Sequence, residues 1–148
     1  MAEHRKALED LEESRTLLHS IIDGTSDSIY VKDLKGRYLL FNSAAERITG
    51  KKSEEVLGRD DYFLFPPEEA ATVMNDDRKV ITGRIPVTYE ETITTASTIT
   101  TFLSTKGPVL DKSGNPYGLF GIARDITEQK KIEEEIRKSN EIREQLIR

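Results

Sequence analysis

The chain has 148 residues and a formal net charge of −5, with 36% hydrophobic residues, 33% charged residues and no cysteine. This length suits one domain, the excess of acidic residues argues against nucleic acid as the main partner, and the missing thiols exclude disulfides and thiolate metal sites. No apolar run approaches the roughly 18 residues of a membrane span and no apolar signal segment follows the N-terminus, so we expect a cytoplasmic chain without membrane insertion.

The first predicted element is an amphipathic helix that ends at residue 22. Four apolar residues recur in it at spacings of 3, 7 and 4: Leu8, Leu11, Leu18 and Ile22. Arg15 interrupts this stripe, so the pattern is a short and imperfect heptad seam. Packing on the chain's own domain and pairing with a second copy are both compatible with it, and we place the four residues at a dimer interface.

A turn-rich stretch, 23–28, separates this helix from a predicted β-hairpin. Residues 29–32 and 37–41 contain the aromatic and β-branched or aliphatic side chains that are typical of strands. The segment between them has the composition of a tight turn, with Gly36 at a position that favours a positive φ.

Short helices are predicted next. Asn42 is expected to cap a helix over 43–48, because its side-chain oxygen accepts hydrogen bonds from the free backbone N–H groups of the first turn. Gly50 is expected to end that helix in a left-handed conformation. Two consecutive prolines then begin a longer helix over 67–82, which has an apolar stripe and is expected to end at Gly83.

The stretch 85–105 has a different character, since eight of its 21 residues are threonine. β-branched side chains favour strands over helices, and we predict two strands here. A turn at 111–116 leads to the last strand, 117–127, whose apolar side chains fall on both faces. Such a strand is expected at the centre of a sheet that is covered on both sides.

The C-terminal helix is predicted to begin with a capping box, in which Asp125 caps the helix and Glu128 follows three residues later. It is strongly charged and needs a surface to rest on, because a short polar helix is marginally stable alone. The order of elements is helix, two strands, short helices, three strands and helix. It predicts an α+β fold with a five-stranded antiparallel sheet and helices on one face.

Five stretches in consistent order carry a resemblance to a known family: Ser28–Gly36, Asn42–Gly50, Ser53–Gly58, Asp111–Gly114 and Gly121–Glu128. Together they make the middle of the chain similar to a PAS domain, the sensor module of bacterial and archaeal signalling proteins. The resemblance implies a PAS-like sheet and short helices around a small pocket. It divides the chain into an N-terminal amphipathic or coiled-coil helix (1–22), a sensor domain (23–127) and a C-terminal signalling helix (128–148).

The resemblance also implies a regulatory role within a longer protein. In the family an Asp-Ile-Thr sequence closes the last strand and opens a helix that leads to an output domain, so Asp125, Ile126 and Thr127 are expected to relay the signal. The implied output is a sensor histidine kinase, or alternatively a nucleotide cyclase, and the chain is expected to form a homodimer. A dimerisation and relay module that binds no ligand stays open as the alternative.

By alignment with the family, seven residues are expected to line the pocket: Val73, Tyr89, Thr92, Phe102, Ser104, Gly121 and Ala123. The small residues at 121 and 123 leave room for a ligand or for helix packing, and a core filled by aromatic side chains is equally compatible. The face assignment over 89–93 depends on register, because a slip of one residue exchanges the two faces of a strand. Lys106 falls on the inward face and, like Arg84, is placed to reach an anionic ligand.

No cofactor, metal site or catalytic residue is expected. Haem-binding relatives carry a histidine on the long helix, where this chain has none, and a covalent flavin needs the missing cysteine. An unidentified small molecule remains the candidate ligand. Three acidic pairs are interpreted as a turn cap, an exposed helix face and opposite faces of a strand, in this order: Asp60-Asp61, Asp76-Asp77 and Glu90-Glu91.

Overall fold

The computed structural model describes residues 1–148. Its elements are α1 (Ala2–Gly24), β1 (Ser28–Asp33), β2 (Tyr38–Phe41), α2 (Ser43–Thr49), α3 (Ser53–Val56), a 3₁₀ turn (Asp61–Phe63), α4 (Pro67–Gly83), β3 (Val87–Thr95), β4 (Thr98–Leu110), β5 (Pro116–Asp125) and α5 (Thr127–Ile147). The five strands form one antiparallel sheet in the order β2-β1-β5-β4-β3, which confirms the predicted α+β fold. None of the helices combines the length and the apolar character needed to cross a membrane.

The central strand is β5, which pairs with β1 on one side and with β4 on the other. Leu119 and Ala123 are buried on its inner face, which α4 covers. Ile122 on the outer face remains 38% exposed. The prediction that both faces of this strand are covered is therefore wrong for the outer face, because α1 and α5 bury none of their residues.

Asn42 caps α2 as predicted, with its Oδ1 accepting a hydrogen bond from the Ala45 N–H at 3.0 Å. The same oxygen also accepts from the Ile29 N–H at 2.9 Å, and Asn42 Nδ2 donates to the Ile22 carbonyl at 2.7 Å. One amide side chain thus joins the end of α1, the start of β1 and the start of α2. Gly50 ends α2 with φ of 73°, as predicted.

Two helix ends differ from the prediction. Gly83 lies inside α4, and the left-handed residue that ends the helix is Arg84, with φ of 59°. At the other junction α5 begins at Thr127, and Asp125 is not its cap residue. Asp125 Oδ1 instead accepts a hydrogen bond from the Thr127 N–H at 2.9 Å, which forms a tight turn between β5 and α5.

Candidate functional site

An interior cavity of about 50 Å³ lies between the inner face of the sheet and the covering helices. Val73, Phe102 and Ala123, three of the seven residues predicted to line a pocket, line this cavity. Since a cavity needs only about 10–15 Å³ of such space to admit one water molecule, this one has room for a few waters in this conformation. An organic ligand requires the surrounding elements to move apart.

The other four predicted residues have different surroundings. Ser104 is buried and donates a hydrogen bond to Glu91, and Tyr89 is half-buried beside the Lys106 ammonium. A Cβ atom on Gly121 would lie 2.1 Å from Cζ of Tyr30, so the space beside Gly121 is already filled by an aromatic ring.

Thr92 is on the wrong face for a pocket residue. It is exposed, and its Oγ1 lies 3.3 Å from Oγ1 of Thr101 on the outer face of the sheet. Its neighbours Glu91 and Ile93 take the inward positions and line the cavity. The predicted register of this strand is wrong by one residue, which exchanges its two faces. Thr and Glu gave no apolar pattern by which the inner face could be identified.

A group of buried and half-buried charged side chains lies beside the cavity, and we call it the charge network: Lys32, Asp61, Asp77, Glu91 and Lys106. Lys32, Glu91 and Lys106 line the cavity, and the two aspartates bind the lysines from behind. Lys32 is 1% exposed, and its Nζ lies 2.6 Å from Asp61 Oδ2 and 2.7 Å from Asp77 Oδ2. The hydroxyl of Tyr38 donates to the second oxygen of Asp61 at 2.5 Å. These contacts tie together β1, β2, the 3₁₀ turn and α4.

The second lysine extends the charge network to the far strands. Lys106 of β4 is fully buried, and its Nζ lies 3.1 Å from Asp77 Oδ1 and 3.5 Å from Glu91 Oε2. Ser104 donates to the other oxygen of Glu91 at 2.7 Å. Lys106 is inward as predicted, but its partners are carboxylates of the chain itself. Arg84, the other candidate for an anionic ligand, is exposed at the end of α4.

The pKa shifts follow from these contacts. Burial favours the neutral form of Asp77, but the Lys32 and Lys106 ammonium groups outweigh it and hold the pKa of Asp77 below its ordinary value. Burial also disfavours the ammonium of Lys106, yet Tyr30 and the neighbouring carboxylates raise its pKa well above the ordinary value. Mainly through burial, the pKa of Tyr38 is likewise raised, so its hydroxyl keeps its proton and donates to Asp61.

Of the charge network, the sequence analysis predicted only the inward position of Lys106, and it misplaced two of the acids. Asp60 caps the 3₁₀ turn as expected, but Asp61 is fully buried. Asp77 was expected on an exposed helix face and is instead buried. One signal was available, since Asp77 lies at helical spacing from Val73 and Val80, both of which face the core. No group of three or more acidic or histidine side chains is arranged to hold a metal ion.

The junction between β5 and α5 is attached to β4. The Ile126 N–H donates to the Thr101 carbonyl at 2.9 Å, and the Thr101 N–H donates to Thr127 Oγ1 at 3.0 Å. Ile126 is buried, and one turn later Lys130 forms an ion pair with Glu90 of β3 at 3.1 Å. The three residues predicted to relay a signal therefore lie at a hydrogen-bonded joint between the helix and the sheet.

The four residues predicted at a dimer interface lie along α1. Leu8, Leu11 and Leu18 are exposed, and Ile22 is half-buried where its carbonyl meets Asn42. The three leucines of this stripe thus have no partner within the chain. Whether a second copy covers it stays a prediction.

Comparison with known proteins agrees with this architecture. The model of a family described as the PAS fold matches residues 22–131. The chain is 35% identical over 129 residues to the methanogenesis regulatory histidine kinase FilI of Methanothrix harundinacea, a match that covers 87% of this chain and 15% of that protein. It is 28% identical over 130 residues to the aerobic respiration control sensor protein ArcB of Escherichia coli, with 87% and 17% covered.

Among solved structures, the PAS domain of BvgS from Bordetella pertussis has a TM-score of 0.68 and 26% identity, and the match covers 90% of this chain and 98% of that one. The chain spans about a sixth of the length of the two curated relatives.

Proposed function

The chain belongs to the PAS family, and we propose that it is a regulatory sensor and relay module of a longer signalling protein. Because one matched relative is named a histidine kinase and another a sensor protein, we propose a histidine kinase as the output, with a nucleotide cyclase as the alternative. The chain itself is assigned no catalytic role. A cytoplasmic location stays a prediction.

The observation that carries this proposal is that β4 contacts both the charge network and the start of α5. Lys106 of β4 binds Asp77, and Thr101 of the same strand holds Ile126 and Thr127. A displacement of β4 relative to α4 therefore alters the joint from which α5 departs. A signal shifts this equilibrium only if it binds or contacts the two arrangements unequally.

Two forms of the signal are compatible with the proposal. A small molecule is one, and it requires the cavity to open beyond its present 50 Å³. A conformational change that arrives through α1 is the other, and it reaches the sheet through the Asn42 bonds to the end of α1 and the start of β1. The small volume of the cavity in this structure favours the conformational signal through α1 over a small molecule.

Homodimerisation belongs to the same proposal. The stripe on α1 would lie against its copy, which removes exposed leucine side chains from water. In this dimer the two α5 helices extend side by side, and their exposed isoleucines pack against each other.

The experiment joins the chain, through α5, to the catalytic region of a histidine kinase in place of that kinase's own sensor. Thr127→Val removes the acceptor of the Thr101 N–H, and we expect it to change autophosphorylation about fivefold or more. Thr92→Val is the matched control, because it removes a hydrogen bond to the hydroxyl of the same Thr101 without touching the junction. Equal effects of the two variants, or none, would contradict the relay.

A further inference from the structure

Ser28, at the start of β1, is a buried polar residue without a partner. It is only 8% exposed, and it lines the interior cavity. Its hydroxyl forms no hydrogen bond with another residue of the chain. Because a buried hydroxyl costs free energy unless it is hydrogen-bonded, this group is available to a molecule inside the cavity. A hydroxyl can donate one hydrogen bond and accept two.

The side chains beside Ser28 are apolar. Ser28 lies opposite Ala123 in the pairing of β1 with β5. Ala123 packs with Phe102, and Ile48 of α2 lies against the same cluster. All four residues line the cavity, and we call them the Ser28 site. Its walls hold no group that could compensate the charge of an ion.

The charged side chains that line the cavity are occupied by partners within the chain. Lys32 lies four residues along β1 from Ser28, a distance of about 13 Å between Cα atoms, and it contacts two aspartates. Lys106 contacts Asp77, and Glu91 accepts a hydrogen bond from Ser104. An ionic ligand would have to displace one of these internal partners from a buried site. The same balance argues against the anionic ligand expected at Lys106.

A second hydroxyl of the cavity wall has only a long contact. Thr95 is buried, and its Oγ1 lies 3.3 Å from Thr100 Oγ1, beyond the usual O–H···O range of about 2.5–3.0 Å. Thr49 also lines the cavity, but its hydroxyl donates to the Ala45 carbonyl at 2.8 Å. The hydrogen-bonding capacity that the wall leaves free thus belongs to uncharged hydroxyl groups.

We propose that the small molecule sensed by this cavity is electrically neutral and carries a carbonyl or amide group beside a short apolar group. Its carbonyl oxygen accepts a hydrogen bond from the Ser28 hydroxyl, and its apolar part packs on Phe102, Ala123 and Ile48. The inference rests on the proposed sensory function in its small-molecule form. It names the charge and the hydrogen-bonding class of the ligand.

The test is an NMR titration of the ¹⁵N-labelled chain with acetamide, sodium acetate and acetamidinium chloride, at neutral pH and one ionic strength. The three probes share a planar skeleton and are neutral, anionic and cationic in this order. Their small size requires the least widening of the cavity. We expect acetamide to shift the amide signals of Ile29, Phe102 and Ala123. It should bind about tenfold or more tightly than either ion, because neither ion finds a free counter-charge.

Two variants locate the contact. Ser28→Ala removes the free hydroxyl, and we expect it to weaken acetamide binding about fivefold while the melting temperature stays unchanged or rises. Thr49→Val is the matched control, since it removes a hydroxyl of the same cavity that already has a partner, and it should change binding less than about twofold. Equal weakening by both variants would overturn the proposal. A lower melting temperature of Ser28→Ala would also overturn it, because the hydroxyl would then serve the fold.

The remaining outcomes separate this inference from the proposed function. If acetate or acetamidinium shifts the same signals and binds as tightly as acetamide, the ligand class is wrong and the sensory cavity stands. If none of the probes shifts them, the Ser28 hydroxyl is met by water only and the ligand class is also wrong. The kinase fusion with Thr127→Val then decides independently about the relay.

Discussion

Lys32 is the residue on which the charge network depends most, because its ammonium contacts the carboxylates of both Asp61 and Asp77. Removal of one member of a buried ion pair leaves the other charge without compensation, which costs about 3–5 kcal/mol. We expect Lys32→Met to lower the free energy of unfolding in urea by this amount. Lys35→Met, on the exposed turn of the same hairpin, is expected to change it by less than about 0.5 kcal/mol. Equal losses would contradict the role of Lys32.

Asp77 makes the stability of the fold depend on pH in a specific range. Its pKa in the folded state lies below the ordinary value of 3.8, so the ionised carboxylate stabilises the fold above that value. This stabilisation is lost as the pH falls through the folded-state pKa. We expect the free energy of unfolding to decline below about pH 4, and to decline less steeply in Asp77→Asn. Parallel pH profiles of the two proteins would show that Asp77 is not responsible.

At the scale of residues, the sequence predicts the face of a strand or helix on which a side chain lies better than it predicts which side chains it contacts. Alternation from Phe102 places Lys106 on the inner face, and the structure confirms this. Helical spacing also places Asp77 in step with Val73, but the charge of an aspartate argues for exposure. The lysines that reverse that expectation come from β1 and β4, far away in sequence. Their arrangement depends on tertiary structure, which no local pattern contains.

At the scale of elements, the ring of Tyr30 on β1 lies over Gly121 of β5 because Gly121 has no side chain. The ring of Tyr30 occupies the place where a Cβ would be, at 2.1 Å. We expect Gly121→Ala to destabilise the chain by about 1–3 kcal/mol, since the ring has to move. Gly83→Ala is the control, because nothing lies within 4 Å of its Cβ position and alanine favours a helix. It should leave stability unchanged or raise it, and a loss of similar size at both glycines would contradict the explanation.

The close approach at Gly121 also changes how the pocket is to be tested. A larger residue at this position would collide with Tyr30 before it filled the cavity.

Sequence patterns predict the existence and order of the strands and helices because alternation and turn residues are local. They do not predict which aromatic ring covers a glycine on the neighbouring strand, nor that Thr127 starts α5 in place of an Asp125 cap.

At the scale of the whole molecule, α1 offers a comparison between two adjacent leucines. Leu18 belongs to the predicted seam and is 59% exposed, while Leu17 lies off the seam and is 61% exposed. We expect Leu18→Glu to weaken self-association about tenfold or more in sedimentation equilibrium, because it places a charge in the seam. Leu17→Glu is expected to leave it unchanged. A monomeric chain, or equal sensitivity to both variants, would contradict the dimer through this stripe.

The relay account requires that a change inside the cavity reaches α5. Ala123→Val adds two methyl groups at the cavity wall and suits a strand, so it fills the space with little disturbance. The measurement is hydrogen exchange of the backbone amides in the wild-type chain and in this variant. The account predicts that protection changes about tenfold at Thr101 and across 126–130, as well as at the cavity itself. A change confined to the residues around the cavity, with the start of α5 unaltered, would contradict it.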